Sequence, residues 1–547
     1  MKISTLFLLV MLTGSLMAQE RTITGTVTSS DDNERMIGVN ILIKGTTTGD
    51  VTDFDGRFSL TVPSEDAVLV FSYTGYESQE VPVRGMMDLN IVMDVSSASL
   101  GEIVVTAIGI TADKSNLGYS IQSVKSDDVQ NSGETNLVAA LAGKAAGVQV
   151  TSSGGTAGAA AQIRIRGNKT IIGKNAPLFV VDGIPIDNST FTTADSPEDA
   201  VSDLGSGGVN NSNRAIDINP DDIASMTILK GPAATALYGI RAANGAIVVT
   251  TKRGRNTDGK PTINISSSIT FDKVNKLPEV QRVYAQGNPV NGIPTFQGPM
   301  TGSFTGFSWG PRIDDLRYAD VGSPWDPNGL IVPKDDPRAT NRLVNAYDNP
   351  GEFFETAITN NNYVSVSGGT AKINYYMSGG NMYQTGIIPN TEFNRTSFKT
   401  TIGANLSDKI RATVSGSYIN SGGQRAQNGS NTSGVMLGLM RTAPTFDNRN
   451  GVDPDKNPLA YQFEDGRPRA YRGLLGDRAI YDNPYWTVYK NFLTDDVNRF
   501  IGYSHLEYEV VEGLKLNSRL GVDTYSDFRK FRNDIGSGTL PAGQVVN

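Results

Sequence analysis

Three groups of residues in this chain have types and spacing that chemistry could use. Asp53 and Asp55 stand two apart beside Gly56, as calcium ligands can; Gly154–Gly167 is a glycine-rich stretch of the kind that cradles phosphate; His505, Glu507 and Glu509 alternate with Leu506, Tyr508 and Val510. None of the three completes a site. The rest of the EF-hand ligand spacing is absent, so the two aspartates read as a plain turn. The stretch lacks G-x-x-x-x-G-K-[ST], since Lys169 follows Asn168 rather than a glycine. Its glycines are read as permitting tight turns and close backbone approach. Carboxylates two apart on a strand stand side by side, whereas glycoside hydrolysis needs them flanking a substrate. With one histidine and no cysteine, a histidine triad, a multi-histidine metal site, a disulfide and a thiolate nucleophile are all excluded. The chain is read as no enzyme, with no cofactor and no bound metal.

The elements around these residues explain more. The 547 residues exceed one ordinary domain, and the net charge of -8 argues against general nucleic-acid binding. Residues 1–18 have the form of a signal peptide: Lys2, an apolar run Leu6–Leu12 too short to span, then Gly14, Ser15 and Ala18 before a cut after Ala18. Beyond them no apolar run approaches the ~18 residues of a membrane helix. Membrane strands, which alternate, stay invisible to that test. Residues 19–95 read as a small β-sandwich, because TITGTVTS, GVNILIKG, FSLTV and AVLVFSYTGY alternate with period two between Gly, Asp and Asn turns. Asp55-Gly56 is expected to close a hairpin. The string GVNILIKGTTTGDVTDFDGRFSLTV resembles the carboxypeptidase-regulatory-like domain, an immunoglobulin-like module without catalysis of its own.

Residues 114–254 read as one α/β domain. TNLVAALAGKAAGVQV gives a short helix with Leu137 and Leu141 on one face, then a strand; IRIRG sets Ile163 and Ile165 opposite Arg164 and Arg166; PLFVVDGIPID gives two strands about an Asp182-Gly183 turn. In AIDINPDDIASMTILKGPAATALYGIRAANGAIVVTTKRG, Asp221–Ala224 are expected to begin a short helix, Ser225–Lys230 and Ala246–Thr251 to form strands, and a small-residue turn with Tyr238 to join them. Taken in order, these motifs resemble the plug domain of TonB-dependent outer-membrane transporters, particularly the SusC/RagA-like group. Between sandwich and plug, residues 96–113 open with the flexible SSAS and continue LGEIVVTAIG. Its β-branched core suits pairing with a partner strand, and Glu102, Ile103, Val104, Val105, Thr106 and Ala107 resemble a TonB box.

From residue 255 to 547 the pattern becomes long alternating strands. Ile263, Ile265, Ile269 and Phe271 share one face of TINISSSITF; Phe398, Thr400, Ile402, Ala404 and Leu406 share a face of another strand; Leu514, Leu516, Leu520 and Val522 of a third. Apolar-out, polar-in strands of ~10 residues with short turns and long loops are the signature of a membrane barrel. About seven strands are expected, with long outer loops near 272–360 and 421–495 that hold Trp309, Trp325 and Trp486. Those rings could stack on sugar or peptide, pack into the loops, or sit at the membrane interface. Even-numbered bacterial barrels start at ~8 strands and plugged transporters reach ~22, so the stretch is read as the N-terminal portion of a larger barrel.

The fold expected is therefore mainly β: an immunoglobulin-like sandwich, an α/β plug and the first strands of a large transmembrane β-barrel. The resemblance implies energy-coupled nutrient import across the outer membrane. Partners implied are TonB, a SusD-like surface lipoprotein that caps the barrel, outer-membrane lipid, and an oligosaccharide or oligopeptide cargo. It places the sandwich in the periplasm and the long loops outside. It also implies that Arg164 and Arg166 help hold the plug. Strand alternation turns Glu507 and Glu509 to the lumen, which makes them candidate wall partners for Arg164 or Arg166. A siderophore or cobalamin receptor is the nearer alternative; a β-rich surface adhesin is the one from another class.

Overall fold

A computed structural model describes residues 21–546 except 31–33, 47, 65, 74–75, 95–102, 106–110, 114–120, 131, 135, 153–154, 159, 172–174, 190–211, 300–304, 428–430, 476 and 539–544. Residues 1–18, read as a signal peptide, and most of residues 96–113, read as a linker, lie outside the described residues. Two compact units divide the chain, residues 1–103 with 112–117 and residues 104–111 with 118–547.

In the first unit, alternating side chains build two facing sheets. One holds Arg57–Val62, Arg21–Ser29 and Asp88–Met93 in that order; the other holds Gly49–Val51, Asn40–Ile43, Val68–Ser72 and Gln79–Pro82. Every second residue of Arg57–Val62 is buried, as period-two burial requires. Ile23, Val27, Ile41, Leu60 and Ile91 fill the gap, with Phe58 and Phe71 edge to face at 5.5 Å. The Asp55-Gly56 turn is present, with Gly56 at φ 68°. It is not a hairpin turn, however, because the strands on either side belong to different sheets. Asp53 Oδ1 accepts from the amides of Asp55 at 2.9 Å and Arg57 at 2.8 Å, and these two bonds turn the chain from one sheet to the other.

In the second unit an inner domain sits against a wall of long strands. The inner sheet runs Ile121–Lys125, Ile223–Leu229, Ala246–Thr251, Leu178–Val181, Ile184–Ile186. Val148–Ser152 and Ala161–Ile165 form a separate ribbon. Asp182 at φ 49° and Gly183 at φ 86° make the expected two-residue hairpin turn. Leu137 and Leu141 are fully buried, although the helix near them is a single 3-10 turn, Ala139–Leu141. The 215–254 segment differs from expectation in two places. Pro220–Asp222 is one 3-10 turn capped by Asn219, and Ile223 and Ala224 already belong to the strand. Pro232–Tyr238 is an α-helix, opened by Gly231 and by a proline at its first turn.

The wall has seven long antiparallel strands in sequence order: Thr262–Asp272, Ala357–Gly369, Ile373–Thr385, Glu392–Asn405, Ile410–Ala426, Phe492–Val511 and Leu514–Arg532, followed by the short Val545–Val546. Ile263, Phe398, Ile402, Val414, Phe500, Leu506 and Leu520 point outward and are exposed, while their neighbours face the inner domain. Among the described residues no helix is long and apolar enough to cross a membrane, whereas strands of this length and pattern are. The turns at one end are short, as at 370–372 and 512–513. At the other end stand the long excursions 273–356 and 427–491, together with a six-residue connection at 386–391.

These excursions carry cores of their own. Phe353, Tyr461, Tyr485 and Trp486 form one; Ile313, Leu316, Tyr318 and Val344 another. Asp482 is fully buried beneath the helix Pro484–Lys490, accepting from the Gly538 amide at 2.7 Å and the Asn491 amide group at 3.0 Å. Burial pushes its carboxyl up to about 7. The folded loop therefore keeps a proton that the unfolded chain, with an ordinary carboxylate near ~3.9, has already released. Loop stability should fall as pH rises from about 4 to about 7 and level off above that. Thermal melts followed by the emission of Trp486, whose indole bonds Ser537 in the same network at 2.9 Å, are expected to show this slope, and Asp482→Asn should abolish it.

Candidate functional site: the grip between inner domain and wall

Most polar contacts that hold the inner domain come from one loop, residues 212–222. Ile218 joins the core of the inner domain, Ile216 packs with Ala157 against Met382 and Phe393 of the wall, and Asn219-Pro220 closes the segment with a side-chain cap on the Asp221 amide at 3.1 Å. The segment's polar side chains and carbonyls also face the wall, and the loop touches six consecutive wall strands. On the second and third, Asp222 Oδ1 accepts from Tyr363 at 2.9 Å, Tyr376 at 3.0 Å and Ser378 at 2.6 Å, and Asp221 from Asn361 at 3.2 Å. On the fourth, the Arg395 guanidinium donates to the Ile216 carbonyl at 2.7 Å, and Asn219 to Ser397 at 3.2 Å. The fifth strand contributes Ser421 to Asp217 at 2.8 Å and Arg425 to Ser212 at 2.7 Å. Arg425 also donates to the Ala157 carbonyl and pairs with Asp495 at 3.2 Å. The seventh strand places Asp527 3.8 Å from Arg214.

Arg499, on the sixth strand, is the centre of this collar. Its side chain is wholly buried and all five N–H groups are used. They reach Asp523 through both oxygens at 2.8 Å, Asp217 at 3.1 Å, and the carbonyls of Arg214 at 2.7 Å and Asp187 at 2.9 Å. A planar guanidinium suits this site because its fork of donors can meet carboxylates and backbone carbonyls together, which an ammonium cannot. Apolar packing backs the collar, since Ile419 and Ile501 of the wall join the inner domain's own core. Gly158 brings the inner chain against the Phe393 ring, and its amide donates to Gln384 at 3.0 Å.

The residues singled out from sequence lie elsewhere. Arg164 is half-buried and donates to Gln162 at 3.2 Å, within its own ribbon. Arg166 is exposed on a turn at φ 61°. Glu507 and Glu509 face inward as expected, but near the short-turn end, where Glu507 pairs with Lys515 at 3.3 Å. Among the described residues no ion pair joins either arginine to either glutamate. The Glu507–Lys515 pair is half-exposed, and such pairs contribute ~0–1 kcal/mol. Of the box, Ile103–Val105 form a strand in a two-stranded sheet with Thr111–Asp113; Glu102, Thr106 and Ala107 lie outside the described residues. Of the three tryptophans, Trp486 is core and Trp325 packs edge-on against Phe463 at 4.7 Å, while Trp309 is 65% exposed beside Tyr284.

Sequence reading missed Arg395, Arg425 and Arg499 as well as Asp217 and Asp222. The available signal was parity: each arginine stands on the polar face of its strand, an odd number of residues from outward Phe398, Tyr418 or Phe500.

Residues 23–105 match the CarboxypepD_reg-like domain and residues 113–246 the TonB-dependent Receptor Plug Domain. The chain is 30% identical over 475 residues to the TonB-dependent receptor SusC of Bacteroides thetaiotaomicron, covering 87% of this chain and 40% of that protein. It is 30% identical over 523 residues to TonB-dependent receptor P3 of Formosa agariphila, covering 95% and 44%. The chain thus spans less than half the length of the curated relatives it matches. Among solved structures, the RagAB peptide importer in its open-open state superposes with a TM-score of 0.55 at 20% identity, over 81% of this chain and 44% of that one. Its closed-closed state gives 0.51. At that identity the likeness shows the fold.

Proposed function

This chain is a homologue of the TonB-dependent receptor SusC, carrying a plug domain, a carboxypeptidase-regulatory-like domain and barrel strands, and from that premise we propose that it serves energy-coupled import of an oligosaccharide or oligopeptide across the outer membrane. TonB takes Glu102–Ala107 by strand addition, pulls, and remodels the plug; a SusD-like lipoprotein caps the outer loops. The sandwich lies in the periplasm and the excursions 273–356 and 427–491 lie outside. The protein moves its cargo without catalysing a reaction on it.

One observation carries this reading: a separately folded domain is gripped inside the wall by a buried ionic collar, and a strand-forming segment precedes it. A passive pore needs no such obstruction, and an adhesin needs no β-branched segment between sandwich and plug. The exposed Trp309 supports a cargo with flat faces. Arg164 and Arg166 are assigned an accessory part in plug release, at the rim of their ribbon and away from the collar.

Strand addition has a direct test. Proline at 104 removes a backbone donor and cannot sit inside a paired strand. Val104→Pro should weaken capture of the periplasmic domain of TonB about ten-fold or more, measured by co-purification from outer membranes. Unchanged capture would remove the box from the account.

A further inference from the structure

In the long excursions two arginines share one aromatic ring. The guanidinium carbon of Arg441 lies 4.6 Å from the centre of the Tyr481 ring, and that of Arg472 lies 4.9 Å from it. Less than ~10 Å therefore separates the two cations, about one Debye length at ordinary salt, and they repel one another. Attraction to the ring offsets part of that cost. Arg441 donates to the main-chain and side-chain carbonyls of Asn431 at 2.8 and 2.7 Å, both of them neutral acceptors. Tyr471 stacks on Tyr481 at 6.3 Å and brings a buried hydroxyl with no hydrogen-bond partner among the described residues. Burial pushes that hydroxyl up to about 12, so it stays a donor. Positive charge and donors thus gather at one spot in a chain whose net charge is -8. A carboxylate or sulfate is the group that such a gathering suits, since guanidinium forks meet planar or multi-oxygen anions through paired bonds.

The same cluster adjoins an exposed aromatic strap from the other excursion. Arg472 lies against Gly306, where an added Cβ would come 3.9 Å from three of its side-chain atoms. Phe307 follows at 57% exposure, and Trp309 at 65%. Gln286 ties the strap to the cluster, donating to the carbonyls of Thr305 at 3.0 Å and Tyr471 at 2.9 Å. The backbone of Gly287 holds it further, through Phe307 at 2.8 Å and Trp309 at 3.0 Å. An extended chain covers ~10 Å from residue 306 to residue 309. Cations and flat apolar faces therefore stand within the reach of one short oligomer. Aromatic faces suit the apolar face of a sugar ring.

We propose that Arg441, Arg472 and the 305–309 strap bind an acidic oligosaccharide, its carboxylate or sulfate groups on the guanidiniums and its sugar faces on Phe307 and Trp309. The inference names the cargo class of the importer proposed above and rests on that reading, and its test keeps the two apart. The probe is tetragalacturonate, set against its fully methyl-esterified form, which has the same rings without the charges. A sulfated chondroitin tetrasaccharide and tetraglutamate complete the set. Titration calorimetry on the full-length protein from outer membranes should give one of the acidic sugars an affinity about ten-fold or more above the ester, falling as salt rises. The tighter of the two identifies the anion. Arg441→Gln and Arg472→Gln should each remove most of that preference and leave the ester unchanged, whereas Trp309→Ala should weaken acid and ester alike several-fold. Equal affinity of the parent protein for acids and ester, a measurement that needs no variant to fold, would overturn the inference. So would tighter binding of tetraglutamate, or an acid preference that neither arginine substitution moves. In those cases uptake of other cargo that depends on residues 102–107 would leave transport standing. Acid-selective binding lost in the arginine variants, without uptake that depends on 102–107, would keep the site and remove the transport reading.

Discussion

Replacing Arg499 with methionine is expected to weaken the hold of the wall on the plug by about 3–5 kcal/mol, the usual cost of breaking a buried ion pair by removing one partner. The loss comes from what remains behind. Asp217 is wholly buried and would keep only Ser421 at 2.8 Å and Arg214 at 3.7 Å. The carbonyls of Arg214 and Asp187 would each lose a donor. The measurement is the guanidinium concentration at which trypsin begins to cut the plug while the barrel stays folded. That midpoint should fall clearly for Arg499→Met. Adding Asp217→Asn and Asp523→Asn should restore much of the loss, because the stranded charges are then gone. An unshifted midpoint would show that apolar packing around Ile419 and Ile501 holds the plug without the collar.

Gly158→Leu should approach the same size by another route. Gly158 has φ 60°, which costs a side chain ~1–2 kcal/mol, and its added Cβ would fall 2.3 Å from a carbon of the Phe393 ring. That ring is fully buried, with the Arg425 guanidinium 5.1 Å above it. It cannot withdraw without disturbing the arginine that also holds Ser212 and Asp495. Overpacking of this kind costs ~1–3 kcal/mol, so about 2–5 kcal/mol is expected in total on the same protease assay. Gly158→Ala should show most of the backbone and clash penalty already. A variant indistinguishable from the parent would place Gly158 outside the interface.

The elements were readable where one local rule governed them. Outward Phe398, Ile402 and Leu520 follow from alternation alone, and the Asp182-Gly183 hairpin from turn chemistry alone. The helix expected at 221–224 failed because Asp221 and Asp222 do not serve a helix N-terminus; their carboxylates are committed to Asn361 and to Tyr363, Tyr376 and Ser378, more than 130 residues away in the chain. The Asp55-Gly56 turn was visible, but which sheets it joins is decided by partners distant in sequence. The collar was hidden for the same reason. Arg164 and Arg166 stand out in IRIRG as a local pattern, whereas Arg499 is one charge in a long strand. Its importance comes from Asp217 and the Arg214 carbonyl, 282 and 285 residues away. Glu507 faces inward as its parity requires, yet parity alone does not give the height in the barrel, and it lies nearer the short turns than the collar does.

The most direct test of the central claim is uptake by cells that carry the full-length protein with residues 102–107 deleted, supplied with labelled casein peptides or starch oligosaccharides. Abolished uptake at an undiminished outer-membrane level is the predicted result, since the plug would then stay seated with nothing to pull it. Uptake equal to that of the parent would contradict energy-coupled import and reduce Ile103–Val105 to a linker strand.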